Sequence, residues 1–292
     1  MKCGYVAIIG RPNVGKSTLL NALIGKKISI TTAKPQTTRH QILGIKTEGE
    51  TQAVYIDTPG LHQAQKRAMN RYMNRLANAV IMDSDVVVFV VDITRWTEDD
   101  EMVLNKLADV QSPVILVLNK IDKLKDKALA LPAIEAVSAK YHFSHIVPLS
   151  AKRNENVDEL EETIMKLIPE GPHLFPDEQV TDKNERFQIA EIIREKLIRA
   201  TEQELPYSTT VVIESIKDDG KLIDINAIIW VEREGQKPIV IGKNGELLKR
   251  VGTASRKEIV KLLERKIFLR LWVKVKNDWT NDERALGSLG YE

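Results

Sequence analysis

One eight-residue segment limits the fold of this chain more than any other. Its sequence is Gly10-Arg11-Pro12-Asn13-Val14-Gly15-Lys16-Ser17, between the apolar run Tyr5–Ile9 and the amphipathic stretch Lys16–Leu23. An apolar run followed by a helical pattern predicts a buried strand that leads into a helix. The segment between them fits G-x-x-x-x-G-K-[ST], a pattern that requires this strand–loop–helix context. The sequence therefore predicts an α/β fold with a phosphate-binding loop after its first strand.

The residue types of this loop suit a bound phosphate chain. Glycine at positions 10 and 15 lets the backbone curl until several N–H groups point inward, and the following helix adds its positive dipole end. The Lys16 ammonium can reach the β- and γ-phosphates, and the Ser17 hydroxyl can ligate Mg²⁺. We predict that all eight residues bind nucleotide and that Lys16 is catalytic. An ordinary glycine turn before a helix is the alternative.

Apolar runs and amphipathic stretches alternate over the first part of the chain. Predicted strands lie at Tyr5–Ile9, Ala53–Ile56, Val86–Val91, Val114–Leu118 and Ile146–Pro148. Predicted helices lie at Lys16–Leu23, Lys66–Ala79, Glu98–Val110, Ala128–Lys140 and Val157–Leu167. Short continuous apolar runs are typical of strands buried on both faces, so this alternation predicts a mostly parallel sheet with helices on both sides.

The segment Asn119-Lys120-Ile121-Asp122 predicts which base is bound. It follows the run Val114–Leu118, at the carboxyl edge of the sheet where ligands bind. The Asp122 carboxylate can accept hydrogen bonds from the N1–H and 2-amino groups of guanine. Adenine offers neither donor and would leave the carboxylate unpaired, and such sites discriminate by ~10⁴ or more. We therefore predict guanine binding by Asn119, Lys120 and Asp122.

Two shorter segments complete the predicted nucleotide site. Ser150-Ala151-Lys152 follows the next predicted strand, where a backbone N–H can meet the guanine carbonyl. Asp57-Thr58-Pro59-Gly60 follows Ala53–Ile56, so that Asp57 can hold Mg²⁺ through water and the Gly60 N–H can sense the γ-phosphate. Either segment alone can be a plain polar turn. Each is evidence for a nucleotide site only in combination with the phosphate loop and Asn119–Asp122.

A polar loop, Lys34-Pro35-Gln36-Thr37-Thr38-Arg39-His40, lies where a nucleotide-sensing switch belongs. One of its threonines should complete the Mg²⁺ shell when the γ-phosphate is present. Spacing alone leaves the choice between Thr37 and Thr38 open.

These five segments, in this order, resemble the signature of the translation-factor-related GTPases. The Gly-Arg-Pro-Asn-Val-Gly-Lys-Ser loop and the Thr-Thr-Arg switch resemble the Era branch of that group. The resemblance implies that Thr38 is the switch ligand of Mg²⁺, beside Ser17 and Asp57. It also implies that Asn13 helps to bind a catalytic K⁺. Together with Lys16, we predict Asn13, Thr38 and Gly60 as catalytic residues.

One position departs from the Ras-like pattern. Ras-like enzymes orient the attacking water with a glutamine directly after D-x-x-G, whereas this chain has Leu61 there. Leucine cannot hold a water molecule, so we expect slow intrinsic hydrolysis of GTP.

The pattern changes after Ile168. The proline-rich, charged stretch beyond it predicts a linker. A new order of elements begins with the helix Arg186–Glu204, which Pro206 and Ser208 end. Next come two strands joined by the hairpin turn Asp218-Asp219-Gly220, a long helix and a last strand. The predicted bounds are Thr209–Lys217, Leu222–Arg233, Glu246–Arg265 and Phe268–Lys276.

A second glycine turn, Ile241-Gly242-Lys243-Asn244-Gly245-Glu246, precedes that long helix. Residues 242–276 hold eleven Lys/Arg and three Asp/Glu, a basic stripe that the chain's net charge of +2 hides. The order of elements resembles a KH domain of the type whose extra helix and strand come first. In KH domains the G-x-x-G loop clamps about four single-stranded nucleotides. The predicted RNA-binding residues are Ile241, Gly242, Lys243, Asn244, Gly245, Lys249 and Arg250.

The alternative for the basic stripe is a solvated helix face. In the last strand we expect Phe268, Leu269, Leu271 and Val273 in the core. Trp272 in that strand and Trp279 beyond it can be either core residues or base-stacking residues.

These observations predict a Ras-like P-loop GTPase (G) domain over residues 2–169 and a linker over 170–184. An α+β KH domain is predicted over 185–280 and a C-terminal tail over 281–292. The resemblance implies a GTP-hydrolysing switch with Mg²⁺ that binds single-stranded ribosomal RNA near the 3′ end of the small-subunit RNA and assists small-subunit assembly, as a monomer. The alternative is a membrane-surface signalling GTPase whose basic domain binds anionic lipid.

The expected location depends on cysteine content and hydropathy. There is one cysteine, Cys3, and no apolar run approaches the ~20 residues of a membrane span. We expect a cytoplasmic protein, and the resemblance implies peripheral contact with the inner face of the cell membrane.

Overall fold

The computed structural model describes residues 1–61, 67–126, 130–201 and 208–291. The chain divides into two compact units, one formed by residues 1–66 and 70–182 and the other by residues 67–69 and 183–292. None of the described helices has the length and apolar character that crossing a membrane requires.

A six-stranded sheet organises the first unit. Its strands are β1 (Lys2–Ile9), β2 (Ile42–Glu48), β3 (Thr51–Asp57), β4 (Val86–Asp92), β5 (Val114–Asn119) and β6 (His145–Leu149). They lie in the order β2-β3-β1-β4-β5-β6, and every neighbouring pair is parallel except β2 with β3. Every residue of β4 and β5 is buried, as expected for central parallel strands. The predicted Ras-like α/β sheet is confirmed.

Among the described residues, five α-helices accompany this sheet: α1 (Lys16–Ile24), α2 (Ala68–Asp83), α3 (Glu98–Asn105), α4 (Ala130–Ser138) and α5 (Val157–Leu167). Helix α3 was predicted to continue to Val110, but it ends at Asn105 and four turn residues follow it. Lys66 and Ala128, where two helices were predicted to begin, lie outside the described residues.

Strand β2 is the main element that the sequence analysis missed. Its sequence, ILGIKTE, turns polar after four residues, so it lacks the continuous apolar run by which the other strands were predicted. Ile42 and Ile45 are buried, while Lys46, Thr47 and Glu48 are more exposed, as on an antiparallel edge strand. The predicted linker runs beside this edge. The Ile45 N–H donates to the Val180 carbonyl at 2.9 Å, which covers part of the edge.

The second unit contains a three-stranded sheet and its own core. Its elements are α6 (Glu185–Ala200), β7 (Thr209–Asp218), β8 (Ile223–Val231), α7 (Lys237–Ile241), α8 (Glu246–Leu263), β9 (Ile267–Val275) and α9 (Glu283–Ser288). Strand β8 is central, antiparallel to β7 and parallel to β9. Buried residues of α6 and α8 join one face of the sheet in a single core cluster. The predicted KH topology is confirmed, including the hairpin, where Gly220 has a φ of 86°.

Several details of this unit differ from the sequence analysis. Phe268 is 50% exposed, so its expected place in the core is wrong; Trp279 is fully buried, and Trp272 is 55% exposed. The short helices α7 and α9 were not predicted. The predicted tail includes α9, and its Tyr291 ring stacks on Trp279 with ring centroids 5.9 Å apart. Glu204 and Pro206, at the predicted end of the first KH helix, lie outside the described residues.

Candidate functional site: a phosphate loop with a guanine-reading edge

The phosphate loop curls between β1 and α1 with three positive φ angles. They are 150° at Gly10, 65° at Asn13 and 104° at Gly15. The glycines are also required by space. A Cβ at Gly10 would lie 2.4 Å from the Val90 carbonyl oxygen, and a Cβ at Gly15 would lie 2.4 Å from the Asn119 amide nitrogen. The loop is therefore held against the ends of two neighbouring strands, β4 and β5.

Lys16 lies inside this curl. Its ammonium donates to the carbonyl oxygens of Gly10 at 3.0 Å and Arg11 at 2.9 Å, and the residue is only 6% exposed. Burial lowers the pKa of Lys16 to about 8, although the nearby Asp57 carboxylate opposes that shift. This buried cation has two carbonyl oxygens and one carboxylate near it. A phosphate dianion bound beside it would stabilise its charged form further.

Three oxygen-bearing side chains meet beside the loop. The Ser17 hydroxyl lies 2.6 Å from an Asp57 carboxylate oxygen and 2.7 Å from the Thr38 hydroxyl, and Thr38 lies 3.4 Å from the same carboxylate oxygen. Thr37 is elsewhere, because its hydroxyl bonds to Thr32 at 2.6 Å and to the Lys34 carbonyl at 2.7 Å. The geometry thus brings Thr38, and not Thr37, to Ser17 and Asp57.

This cluster fits Mg²⁺. Asp57 is fully buried, and its second carboxylate oxygen has no hydrogen-bond partner among the described residues. Burial raises the pKa of Asp57, while its bonds from Ser17, Ser29 and Thr38 act in the opposite direction. Hydroxyl and carboxylate oxygens are the ligands that Mg²⁺ prefers, and an orphaned buried oxygen is the kind of atom that a cation satisfies.

Gly60 lies directly against the phosphate loop. A Cβ at this position would come within 2.8 Å of the Pro12 nitrogen, so only glycine allows the approach. The next residue, Leu61, donates its N–H to the Gly10 carbonyl at 3.4 Å, and its side chain is buried. Thr58 anchors the same segment to β1 through the Ile8 carbonyl at 3.0 Å. Residues 62–66 lie outside the described chain.

Asn119 and Lys120 connect the segment Asn119–Asp122 to the phosphate loop. The Asn119 amide donates to the Val14 carbonyl at 2.8 Å, and the Lys120 ammonium donates to the Asn13 carbonyl at 2.6 Å. Lys120 also pairs with Asp92 at 2.8 Å. Asp92 ends β4, and its other oxygen accepts from Thr94. The sequence analysis did not assign Asp92, although an acid that ends a buried strand beside Asn119 was a usable signal.

Ser150 and Ala151 belong to the same network. The Ser150 hydroxyl donates to Asp122 at 2.6 Å, which leaves the other Asp122 oxygen for a ligand, and the Ala151 N–H donates to the Asn119 side chain at 3.1 Å. In this structure the Ala151 N–H is therefore used to hold Asn119. The Lys152 side chain is exposed.

Arg11 has a structural role that the loop motif did not reveal. Its guanidinium forms a buried ion pair with Asp100 at 2.8 Å. The same Asp100 oxygen accepts from the N–H of Thr97 at 2.9 Å and from its hydroxyl at 2.7 Å, which caps α3. The Arg11 side chain therefore fixes the loop to α3, which leaves only the backbone of this residue to face the cleft.

The residues of the loop and the switch surround one cleft. It is lined by Pro12, Asn13, Gly15, Lys16, Ser17, Thr18, Ile30, Thr31, Thr32, Gln36, Thr37, Thr38 and Gly60. Asn13 is exposed at its rim, and no described residue forms a hydrogen bond with its side chain. The arrangement can bind a polyphosphate and a divalent cation in the cleft, with a purine at the Asn119–Asp122 edge.

The second glycine turn is open by comparison. Gly242, Asn244 and Gly245 have φ angles of 77°, 52° and 78°, and α8 begins at the next residue. A Cβ at Gly242 would lie 2.7 Å from the Leu247 side chain, whereas one at Gly245 would meet nothing within 4 Å. Lys243, Asn244, Lys249 and Arg250 are exposed, and Ile241 is half-buried. The turn therefore presents cations and backbone to solvent.

Comparison with known proteins agrees with both units. Residues 5–120 match the family model described as 50S ribosome-binding GTPase, and residues 204–280 match the KH domain model. The chain is 54% identical over 290 residues to GTPase Era of Pseudomonas aeruginosa, covering 99% of this chain and 95% of that protein. It is 56% identical to GTPase Era of Haemophilus influenzae, covering 99% and 96%.

Two solved structures of Era superpose over the whole chain. One is Era in complex with MgGDPNP and nucleotides 1506–1542 of 16S ribosomal RNA, with a TM-score of 0.96 and 41% identity. The other is an Aquifex aeolicus Era variant bound to GDP and AlF₄⁻, with a TM-score of 0.95 and 41% identity. Each comparison covers 100% of this chain and 99% of the other. With this likeness over both units, the chain belongs to the Era family of GTPases, in which a G domain precedes a C-terminal KH domain.

Proposed function

We propose that this protein binds GTP with Mg²⁺ in the phosphate-loop cleft, hydrolyses it slowly, and binds single-stranded ribosomal RNA through its KH domain during assembly of the small ribosomal subunit. The observation that carries the first part is the convergence of Lys16, Ser17, Thr38 and Asp57 on one cleft, with Asp122 at the adjoining edge. The Era structure with MgGDPNP and 16S ribosomal RNA supports the second part.

Each residue of the cleft has a chemical task in this proposal. The loop N–H groups and the Lys16 ammonium hold the β- and γ-phosphates, and they stabilise the charge that develops during transfer. Ser17, Thr38 and Asp57 would hold Mg²⁺, which supplies positive charge to the phosphate oxygens. The Gly60 N–H contacts the γ-phosphate, so the segment after β3 responds to its loss. Asp122 accepts from guanine, and Lys120 keeps the base edge tied to the loop.

In this proposal Leu61 accounts for slow turnover. Its side chain is buried and apolar, so it leaves the attacking water without a side-chain acceptor at this position. Asn13 supplies part of what is missing in this proposal: its amide oxygen at the rim of the cleft would bind K⁺, which would add positive charge near the phosphates. The test compares turnover in K⁺ and Na⁺ for the wild-type protein and Asn13→Ala. Equal rates in both salts for the wild type would exclude this role.

In this proposal the bound nucleotide controls the affinity for RNA. Affinity for single-stranded RNA should differ between the GDPNP-bound and GDP-bound forms of the full chain, because ordering of the Thr38 and Gly60 segments depends on the γ-phosphate. Filter binding at fixed salt measures this, with Lys243→Ala as the variant that weakens RNA binding in both forms. Equal affinities in the two nucleotide states would contradict a switch.

The cellular setting in this proposal is the cytoplasm, and the protein acts as a monomer. Peripheral contact with the inner face of the cell membrane stays a prediction. Co-sedimentation with anionic vesicles, compared with filter binding to RNA, tests it, and binding to vesicles alone would favour the membrane-surface alternative.

A further inference from the structure

The outer face of the KH sheet carries side chains that the proposed function does not use. Along β9 and just past its end, alternate positions hold two aromatic rings and three cations: Phe268, Arg270, Trp272, Lys274 and Lys276. Phe268 is 50% exposed and Trp272 is 55% exposed, and every other described Phe and Trp is more buried. Exposed aromatic side chains that share one face of one strand can form a contact surface.

Strand register shows that this surface is distinct from the core. Leu269 pairs with the fully buried Ile225, whereas Arg270 pairs with Asn226 and Trp272 with Ile228 on the opposite face. Helices α6 and α8 join the core on the Ile225 side. Tyr291 covers the far end of the outer face, through a bond of 3.0 Å to Thr210. The end that holds Phe268 and Trp272 stays open.

Polar and charged groups lie between and around the two rings. The Arg270 guanidinium lies 5.3 Å from the Phe268 ring centroid, and it forms an ion pair with Asp224. Lys274 lies 3.5 Å from Glu214, and the Asn226 amide donates to the Ser215 hydroxyl at 3.0 Å. Lys217 and Lys276 add cations to this face, so its net charge is positive despite the two acids.

We propose that this outer sheet face binds single-stranded RNA by stacking bases on Phe268 and Trp272, as a second contact beyond the G-x-x-G turn. The proposal rests on the RNA binding proposed above. Half-exposed rings spaced along a strand, with cations beside them and amide and hydroxyl groups between them, have the chemistry of a base-stacking sheet. A positive face favours a polyanion over an apolar peptide.

The position of β9 makes a continuous path available to RNA. Within the described chain β9 pairs only with β8, so it is an edge strand that RNA can pass on its way from the helix side to the outer face. A G-x-x-G turn clamps only about four nucleotides. The Era relative was solved with nucleotides 1506–1542, a far longer RNA, so nucleotides beyond the clamp are present in such complexes.

The test compares a four-nucleotide and a twelve-nucleotide single-stranded RNA on the full-length protein. Trp272→Ala is expected to weaken binding of the longer RNA by about tenfold, the effect of removing one stacked base, and to leave the four-nucleotide RNA unchanged. Phe268→Ala should act in the same way, and Trp272→Phe should keep most of the affinity. The matched control is Ile216→Ala, because Ile216 is 37% exposed in the same sheet but pairs with Ile225 on the helix side.

Three outcomes distinguish a failure of the stacking surface from a failure of RNA binding at the G-x-x-G turn. If the wild type and Trp272→Ala bind the longer RNA equally while Lys243→Ala weakens it, the stacking surface is wrong and RNA binding at the turn stands. If the wild type binds neither RNA, both proposals fall. If Trp272→Phe loses as much affinity for the longer RNA as Trp272→Ala, stacking on the ring is excluded.

Discussion

The two glycine turns of this protein share a local pattern and differ in how they are held. Each has residues with positive φ directly before a helix, Gly15 before α1 and Gly245 before α8. At Gly15 an added Cβ would meet Asn119 at 2.4 Å, whereas at Gly245 it would meet nothing within 4 Å. The first turn is fixed by neighbouring strands, and the second is open to solvent.

The difference fits the ligand that we propose for each turn. A phosphate chain in a closed cleft needs donors fixed in advance, because reorganisation would cost transition-state stabilisation. The carbonyl groups of the first turn are accordingly bonded to Lys16, Asn119 and Lys120. An RNA backbone is recognised over a large area by charge, so an exposed turn with a basic helix behind it suffices.

The largest contrast should come from the same substitution in the two turns. Gly15→Ala is expected to weaken GTP affinity by about 100-fold or more, because the Cβ displaces Asn119 and breaks its bond to Val14. Gly245→Ala should cost only about 1 kcal/mol of stability, for a left-handed alanine, and leave GTP affinity unchanged. Nucleotide titration and thermal unfolding of both variants measure this. Similar GTP affinities for the two variants would remove the contrast.

Next in size is a change of base preference at the edge of the fixed site. Asp122→Asn should lower GTP affinity by about 100-fold or more, because an amide cannot accept from both guanine donors. The Ser150 hydroxyl can still donate to the asparagine oxygen, so the fold of the segment should survive. XTP, which offers an acceptor in place of the 2-amino group, should bind the variant better than GTP does. A variant that still prefers GTP would show that Asp122 does not read the base.

A smaller effect should appear as a pH dependence of the nucleotide site. The pKa of Lys16 in the nucleotide-free protein is lowered to about 8, so above that pH the free site loses its cation and must take up a proton to bind phosphate. GDP affinity should fall by up to about tenfold per pH unit above pH 8. The unfolded chain, with its ordinary pKa of 10.5, holds the proton longer, so the Lys16 contribution to the free energy of unfolding of the nucleotide-free protein rises between about pH 8 and 10.5.

Calorimetric titration of GDP between pH 7 and 9.5 measures this dependence. Lys16→Arg supplies the control, because arginine stays charged across the range and its curve should be flatter. A wild-type curve as flat as that of the variant would contradict a lowered pKa at Lys16.

The smallest effect should come from a single charge in the open turn. Lys243→Ala is expected to weaken RNA binding by about three- to tenfold for all sequences alike. The slope of the logarithm of the binding constant against the logarithm of salt concentration should become shallower by about one, for one counterion fewer released. GTP turnover should not change. Lys26→Ala, an exposed lysine of the first unit, is the control for charge alone. An RNA loss that depended on sequence would argue that Lys243 reads bases and does not merely contact phosphate.

The sequence by itself determined both turns, the five strands β1, β3, β4, β5 and β6 of a mostly parallel sheet, and guanine as the predicted base. These features are local, because a few adjacent residues specify a turn or the end of a strand. The sequence also indicated Thr38 through resemblance, but its spacing left Thr37 equally open, since neighbouring residues differ only in where their side chains point.

Only the tertiary structure decided how the loop is held and which surfaces stay free. Arg11 meets Asp100 across 89 positions of the sequence, and Asn119 meets Val14 across 105, pairings that no local pattern contains. In the same way, Phe268 is an apolar residue in a strand, as many core residues are. Its exposure depends on which face of β9 the helices cover. Local patterns specify elements and motifs, whereas burial and long-range contacts depend on how those elements pack.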